Sequence, residues 1–304
     1  MNLKSPAPGN TSSGVLEKEA GPKPPAGRAG GLLLLSAGLA LVLAALVPSP
    51  ARAADEPAGP GSWDIASRAR LMDALLEKAT VFVLVVKASG RRAGFGTGFV
   101  AADGRVVTSG CLVRKAGKSG RILILNEAIP LTEARTLSAA CRPGEAADLA
   151  LISFAPPKGD AVEPLTFARD EGAYYWVAAW GYQAGVLELD ESYACVRTAD
   201  LRCLKAPPIA ATSGEVIRAA NGAIHHSAPL DEGNQGGPLV NVNGLVVGVN
   251  LRKSSGRGSK NSLPLGAALP SGKVVDFLKE NGVDPKLDPK SFGDPPPGGK
   301  GPRT

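Results

Sequence analysis

Histidine is almost missing from this chain: its 304 residues contain two, the adjacent pair His225 and His226. Neighbouring residues on a strand point to opposite faces, so the pair alone makes neither a shared metal site nor two copies of a general base on one side of a cleft. No metal and no cofactor are expected. Aromatic residues are also sparse, at 5%, against 44% hydrophobic residues overall, which predicts a core of Val, Leu, Ile and Ala. No run of basic residues interleaved with aromatics occurs, so nucleic-acid binding is excluded as an expectation. The formal charge of +6 is partly an N-terminal effect. Without residues 1–53, 29 basic residues face 26 acidic ones, an ordinary +3. One local basic cluster remains, Arg252, Lys253, Arg257 and Lys260, set in Gly and Ser. No internal repeat is evident.

Long apolar runs are absent too, except one. Gly31–Val47 is uncharged, is preceded by Arg28 and is followed by Pro48 and the small-x-small pattern Ala51-Arg52-Ala53. This reads as an export signal cleaved after Ala53, or, at the lower length limit for a span, as an uncleaved anchor. Either predicts a domain outside the cytoplasm, in the periplasm, at the cell surface or secreted, with contact to membrane only through residues 31–47. Export makes bridging of the four cysteines, Cys111, Cys141, Cys195 and Cys203, the expectation, with three pairings open.

Gly233-Asn234-Gln235-Gly236-Gly237-Pro238 resembles the nucleophile turn of trypsin-like serine proteases, Gly-Asn/Asp-Ser-Gly-Gly-Pro, with glutamine in place of serine. Gly94–Val100 (GFGTGFV) followed by Gly104–Val113 (GRVVTSGCLV) is similar to the Deg/HtrA pattern GSGFV…GyVLTNAHVV. Ala147–Ile152 (ADLALI) resembles the strand that carries that family's aspartate, and Trp180–Gly185 and Gly237–Asn250 resemble two further segments in the family's order. The resemblance spans roughly residues 64–283. It implies an all-β fold of two six-stranded antiparallel β-barrels, chymotrypsin-like, with an N-terminal helix and a C-terminal helix. It leaves no room for the additional peptide-binding module of about 80 residues that Deg/HtrA-type proteins often carry.

The same resemblance places Cys111 where the family has its general-base histidine and Gln235 where it has its nucleophile; Asp148 alone keeps its type. A carboxamide is no nucleophile near neutral pH, and a cysteine at the base position is badly placed to attack. Catalytic activity is therefore expected to be lost. Gly233 and Gln235 hold the family's oxyanion-hole backbone positions. The Gln235 amide oxygen could fill that hole by accepting from both N–H groups, or the side chain could point outward. Asp148 needs a new hydrogen-bond donor or solvent, because an unpaired buried carboxylate is costly.

Asn250, Leu251 and Arg252 fall on the family's substrate-pairing edge. Cys141 lies on the segment that approaches the base position, so the resemblance implies a Cys111–Cys141 bridge. Cys195–Cys203 is then the second, with a spacing suited to stapling a hairpin. The reading is a catalytically inactive protease homologue binding a peptide or protein. The alternatives are an active serine-type peptidase with a noncanonical site, or a structural adaptor that binds through other surfaces.

Three regions follow: residues 1–53, the export segment; 62–283, the globular domain; and 284–304, rich in Pro and Gly and expected not to pack. Ser62–Lys78 has helical apolar spacing with Ser62 as a cap, Thr80–Val86 reads as the first strand, and Ser271–Asn281 ending at Gly282 as the last helix. Asn243-Gly244 predicts a two-residue hairpin turn with positive φ at both positions. His225 and His226 are expected on a strand of the second barrel, one packed and one exposed.

Overall fold

Seven residues of unbroken apolar or β-branched character, Thr80–Val86, form strand β1, and all seven are buried. Alternation shows why. Val81, Val83 and Val85 point into a barrel interior with Val100, Ile122, Ile124 and Ile152, while Phe82 and Leu84 pack outward on Tyr182, Leu187 and Val196. A strand covered on both faces has no use for polar positions. The computed structural model describes residues 65–141, 148–157, 159, 162–168, 176–220, 222–251 and 265–289, the side chains of 65–69 excepted. The described residues lie within one compact unit, Gly59–Thr304.

Helix α1 (Ile65–Ala79) runs directly into β1. The first closed barrel has the order β1-β2-β3-β6-β5-β4, with β2 (Arg92–Ala102), β3 (Arg105–Thr108), β4 (Arg121–Leu125), β5 (Thr132–Ala140) and β6 (Leu149–Ser153). A short helix, α2 (Gly110–Val113), follows β3. The second closed barrel has the order β10-β11-β12-β9-β8-β7. Its strands are β7 (Trp176–Gly181), β8 (Ala210–Ala220), β9 (Ala223–His226), β10 (Pro238–Asn241), β11 (Val246–Asn250) and β12 (Gly266–Pro270). Helices α3 (Ala184–Leu189) and α4 (Ala194–Thr198) lie between β7 and β8, and α5 (Ser271–Glu280) closes the fold. Every ladder is antiparallel. The all-β architecture of two six-stranded barrels is present as expected.

A largely aliphatic cluster joins the two barrels: Val107, Leu149 and Leu151 of the first pack with Val240, Val249 and Leu269 of the second, sealed by Leu76 of α1 and by Val274 and Leu278 of α5. This shared core fixes how the end of β3, the start of β6 and the turn before β10 face one another, which is where the site lies.

Four local expectations need correction. The β10–β11 hairpin has a three-residue loop. Gly244 N–H donates to Asn241 O and Asn241 N–H to Leu245 O, and only Gly244 takes a positive φ, +72°. The Asn241 carboxamide accepts from Asn243 and Leu245 N–H and holds this wider turn. The Cys195–Cys203 bridge does not staple a hairpin; it ties α4 to the loop that follows it. His225 is half-buried, not exposed, while His226 is buried as the alternation predicts. Finally, packing extends past residue 283: Phe167 N–H donates to Lys286 O, and Asp288 N–H to Phe167 O, so residues 284–289 lie on the body. The Ser62 cap, the 31–47 segment and residues 290–304 lie outside the described residues.

Candidate functional site

Strand β3 ends at Thr108, which pairs with Ala150 of β6, so Ser109 and Asp148 leave neighbouring strands side by side. Ser109 is the cap of α2: its backbone is extended and its Oγ accepts from Leu112 N–H at 3.1 Å. The helical turn then aims the Cys111 N–H at Asp148 Oδ1, 2.7 Å away. Ser109 Oγ donates to the same carboxylate, at 2.9 Å from Oδ1. The Cys111 side chain is not free, being bridged to Cys141 just beyond β5.

The third component crosses from the second barrel. Asp231 caps a short 3₁₀ turn, Glu232–Asn234, accepting from Gly233 N–H at 2.8 Å while its own N–H donates to Asn234 Oδ1. Thr97 of β2 grips this turn by donating its hydroxyl to Gly233 O at 2.7 Å and its N–H to Gln235 O at 3.0 Å. Gly236, at φ +86°, returns the chain to β10, and its N–H donates to Asn250 O. A Cβ on Gly236 would run into Thr97 O, so glycine is required twice over. Gln235 turns toward the first barrel. Its Nε2 donates to Asp148 Oδ2 at 2.7 Å and to Ser109 Oγ at 2.9 Å.

The hydrogen-bond accounting closes. Asp148, 7% exposed, accepts from Cys111 N–H, the Ser109 hydroxyl and Gln235 Nε2. Ser109 donates once and accepts from Leu112 N–H and Gln235 Nε2. The geometry allows only the amide nitrogen toward the carboxylate, since an amide oxygen there would oppose it. A buried carboxylate with three donors escapes most of the cost of burial.

Cys111, Asp148 and Gln235 are thus brought together, but not as the resemblance implies. The Gln235 carbonyl does not fill an oxyanion site; the side chain turns the other way. Gly233 N–H, one of the two donors expected to face a substrate carbonyl, is spent on Asp231. Asn250 is unavailable as a pairing edge, its N–H and O held by Gly237 and Gly236 and its Nδ2 by Pro238 O. Leu251 N–H donates to Ala267 O, and Arg252 lies outside the described residues with Lys253, Arg257 and Lys260. Beside Gln235 the cleft between the barrels persists as a cavity of ≈ 510 Å³, lined by Arg92, Phe95, Lys115, Glu188 and Glu232 among others. Arg92 pairs with Glu188 at 3.3 Å and lies over the Phe95 ring.

Ser109, Thr97 and Asp231 were not foreseen. Each stands in or beside a motif that resembles the family's, but at positions where the motif assigns no chemistry. The histidines belong to neither catalytic role. His226 is fully buried, its ring pressed over Gly266 of β12. Burial pushes its pKa down to about 4, His225 adds to this and the Ala228 backbone opposes it. His225 is also held low, by burial and then by Arg218.

Residues 96–249 match the trypsin-like peptidase domain family. The chain belongs to that family. Its Deg/HtrA character rests on relatives such as the serine protease Do-like HtrB of Bacillus subtilis, 45% identical over 62 residues, 19% of this chain and 13% of that protein. The serine protease Do-like HtrA of Lactococcus lactis is 34% identical over 73 residues, covering 23% of this chain and 18% of its own length. The matched segments therefore span less than a fifth of these curated relatives. Among solved structures, the serine endoprotease from Yersinia pestis superposes with a TM-score of 0.53 at 15% identity, over 73% of this chain and 68% of that one. That likeness shows the chymotrypsin-like fold.

Proposed function

We propose that this trypsin-like peptidase homologue is catalytically inactive and serves outside the cytoplasm as a binding protein for a peptide or protein. One observation carries the reading: a Gln235 amide takes the Asp148 carboxylate in hand while the cysteine at the base position is locked in a bridge. Neither the Gln235 amide nor the bridged Cys111 can attack a carbonyl or accept the proton that attack would release. What the oxyanion site and binding alone supply, about 10³ to 10⁴-fold over water, does not amount to proteolysis on a biological timescale. The two bridges favour an oxidising compartment, as does the run 31–47, and one relative, from Chlamydia trachomatis, is titled a probable periplasmic serine endoprotease.

The test is incubation of the purified protein with casein, a mixed peptide library and an active-site-directed phosphonate. No turnover and no adduct are expected, with peptides from the library retained unchanged. A covalent phosphonate adduct, or cleavage abolished by changing a residue of this chain, overturns the inactivity. Absence of any retained peptide overturns the binding role.

A further inference from the structure

Strand β5 is longer than its partner. It pairs with β4 only through Thr132–Ala134 against Ile122–Ile124, yet it runs on to Ala140. From Arg135 to Ala140 its ladder is with β6 on the other side. On the β4 side the ladder ends at Ile122 against Ala134, and beyond it a groove of ≈ 650 Å³ lies between the turn Arg114–Ala116 and the outer edge of β5. A strand edge left without a ladder is a template for another strand.

Charge selects the occupant. Arg114, Lys118, Arg121 and Arg135 line the groove, and all four are exposed. Among the described residues the one acid in the lining is Glu133, already paired with Arg121 at 2.9 Å. Arg114, Lys118 and Arg135 have no ion-pair partner among the described residues. We propose that this groove on the first barrel binds an extended acidic peptide segment, added as a strand to β5 over Thr136–Ala139, with carboxylates at alternate positions meeting Arg114, Lys118 and Arg135. Alternate residues of a strand lie on one face about 6.8 Å apart, the spacing needed to present two or three carboxylates to one wall while the backbone pairs with the other. A lipid headgroup can meet the arginines but has no backbone to pair with the unladdered edge of β5, so that edge favours a peptide. The site is separate from the Gln235 network, and the proposal does not depend on whether the chain hydrolyses peptides.

The experiment measures binding of a fluorescein-labelled alternating Asp-Val octapeptide to the full chain by anisotropy, at low and moderate salt. Three competitors run beside it: a Lys-Val octapeptide, an Asp-Pro alternating peptide of equal charge that lacks half of the N–H donors, and phosphatidylserine vesicles. Binding is expected to weaken with salt. It is also expected to weaken about tenfold or more in the triple variant Arg114→Glu, Lys118→Glu, Arg135→Glu, and to persist in Lys279→Glu, a charge reversal on α5. The Asp-Pro peptide should compete poorly, and amide exchange should slow at Thr136–Ala139. Circular dichroism of the triple variant establishes that it is folded. If it is not, Arg135→Gln and Lys118→Gln, tested singly, take its place, and each should weaken binding several-fold. Equal competition by the Asp-Pro peptide or by vesicles reduces the groove to a general anion surface and overturns the proposal. So does failure of the Asp-Val peptide to bind, or binding indifferent to the charge changes.

Discussion

Replacing Gln235 with glutamate and, separately, with methionine tests the central feature of the site, because the two variants differ in charge rather than in size. Methionine removes the Nε2 donor from Asp148 and Ser109. One hydrogen bond to a charged group is lost, at about 1.5–3 kcal/mol. Glutamate loses the same donor and sets a second carboxylate against the first. Unit charges about 4 Å apart at an effective dielectric near 20 repel by about 4 kcal/mol, so the Gln235→Glu deficit at pH 7 should be roughly 5 kcal/mol or more. That is a large part of the roughly 5–15 kcal/mol stability of an ordinary domain. Acid should relieve it. A single proton shared by the two carboxyls rebuilds a bond between them, so the introduced carboxyl has its pKa raised on folding. The folded state then binds more protons than the unfolded one, and stability falls as pH rises through the carboxylate range and above it. The assay is urea unfolding followed by tryptophan fluorescence at pH 4, 5, 6 and 7, each variant compared with the parent at the same pH. The Gln235→Glu deficit should grow with pH while that of Gln235→Met stays nearly flat. Equal deficits at pH 7, or a glutamate deficit that ignores pH, refute the contact between Gln235 and Asp148.

Three further outcomes are expected. Changing Cys111 and Cys141 together to serine opens a loop of sequence separation 30, and chain-entropy arguments put the loss near 3.6 kcal/mol; a denaturation midpoint unchanged from the parent contradicts a structural bridge. Gly236→Ala should cost about 2–4 kcal/mol, since its φ of +86° and the approach of Thr97 O both resist a Cβ; crystallisation of a stable variant with the turn intact speaks against this. His226, its pKa held down to about 4 from an unfolded value near 6.5, favours the fold above pH 6.5 and withdraws up to about 3 kcal/mol as pH falls from 6.5 to 4. His226→Phe should flatten that acid limb if the larger ring is tolerated over Gly266, and His226→Leu serves where it is not; an unchanged acid limb in a folded variant rules the linkage out.

The elements that depend on near neighbours were legible in the chain. Strand β1 and helix α5 start and stop where their apolar spacing, and the glycine after α5, say they should. Cys111 joins Cys141 as the resemblance implies, and Cys195 joins Cys203 as their spacing suggests, though not across a hairpin. What escaped depends on competition among acceptors. Whether the Gln235 amide faces the oxyanion backbone or Asp148 is decided by Asp231, which takes the Gly233 N–H first, and by Thr97, which orients the turn from the other barrel. No motif spacing encodes that contest. The Asn243-Gly244 turn went astray for a related reason: the Asn241 side chain accepts two backbone N–H groups and favours the wider loop over the two-residue one. Residues 284–289 were misjudged by composition, which ignores that the backbone N–H and C=O of the buried Phe167 pair with the passing chain at Lys286 and Asp288.

The strut from Gln235 to Asp148 also works as a ratchet. Placing serine at 235 alone strips Asp148 of the Gln235 donor; placing histidine at 111 alone leaves Cys141 without its partner and a bulky ring where the bridge sits. Each single change is uphill by itself, so these contacts hold one another in place: the amide, the carboxylate and the bridge resist replacement one residue at a time.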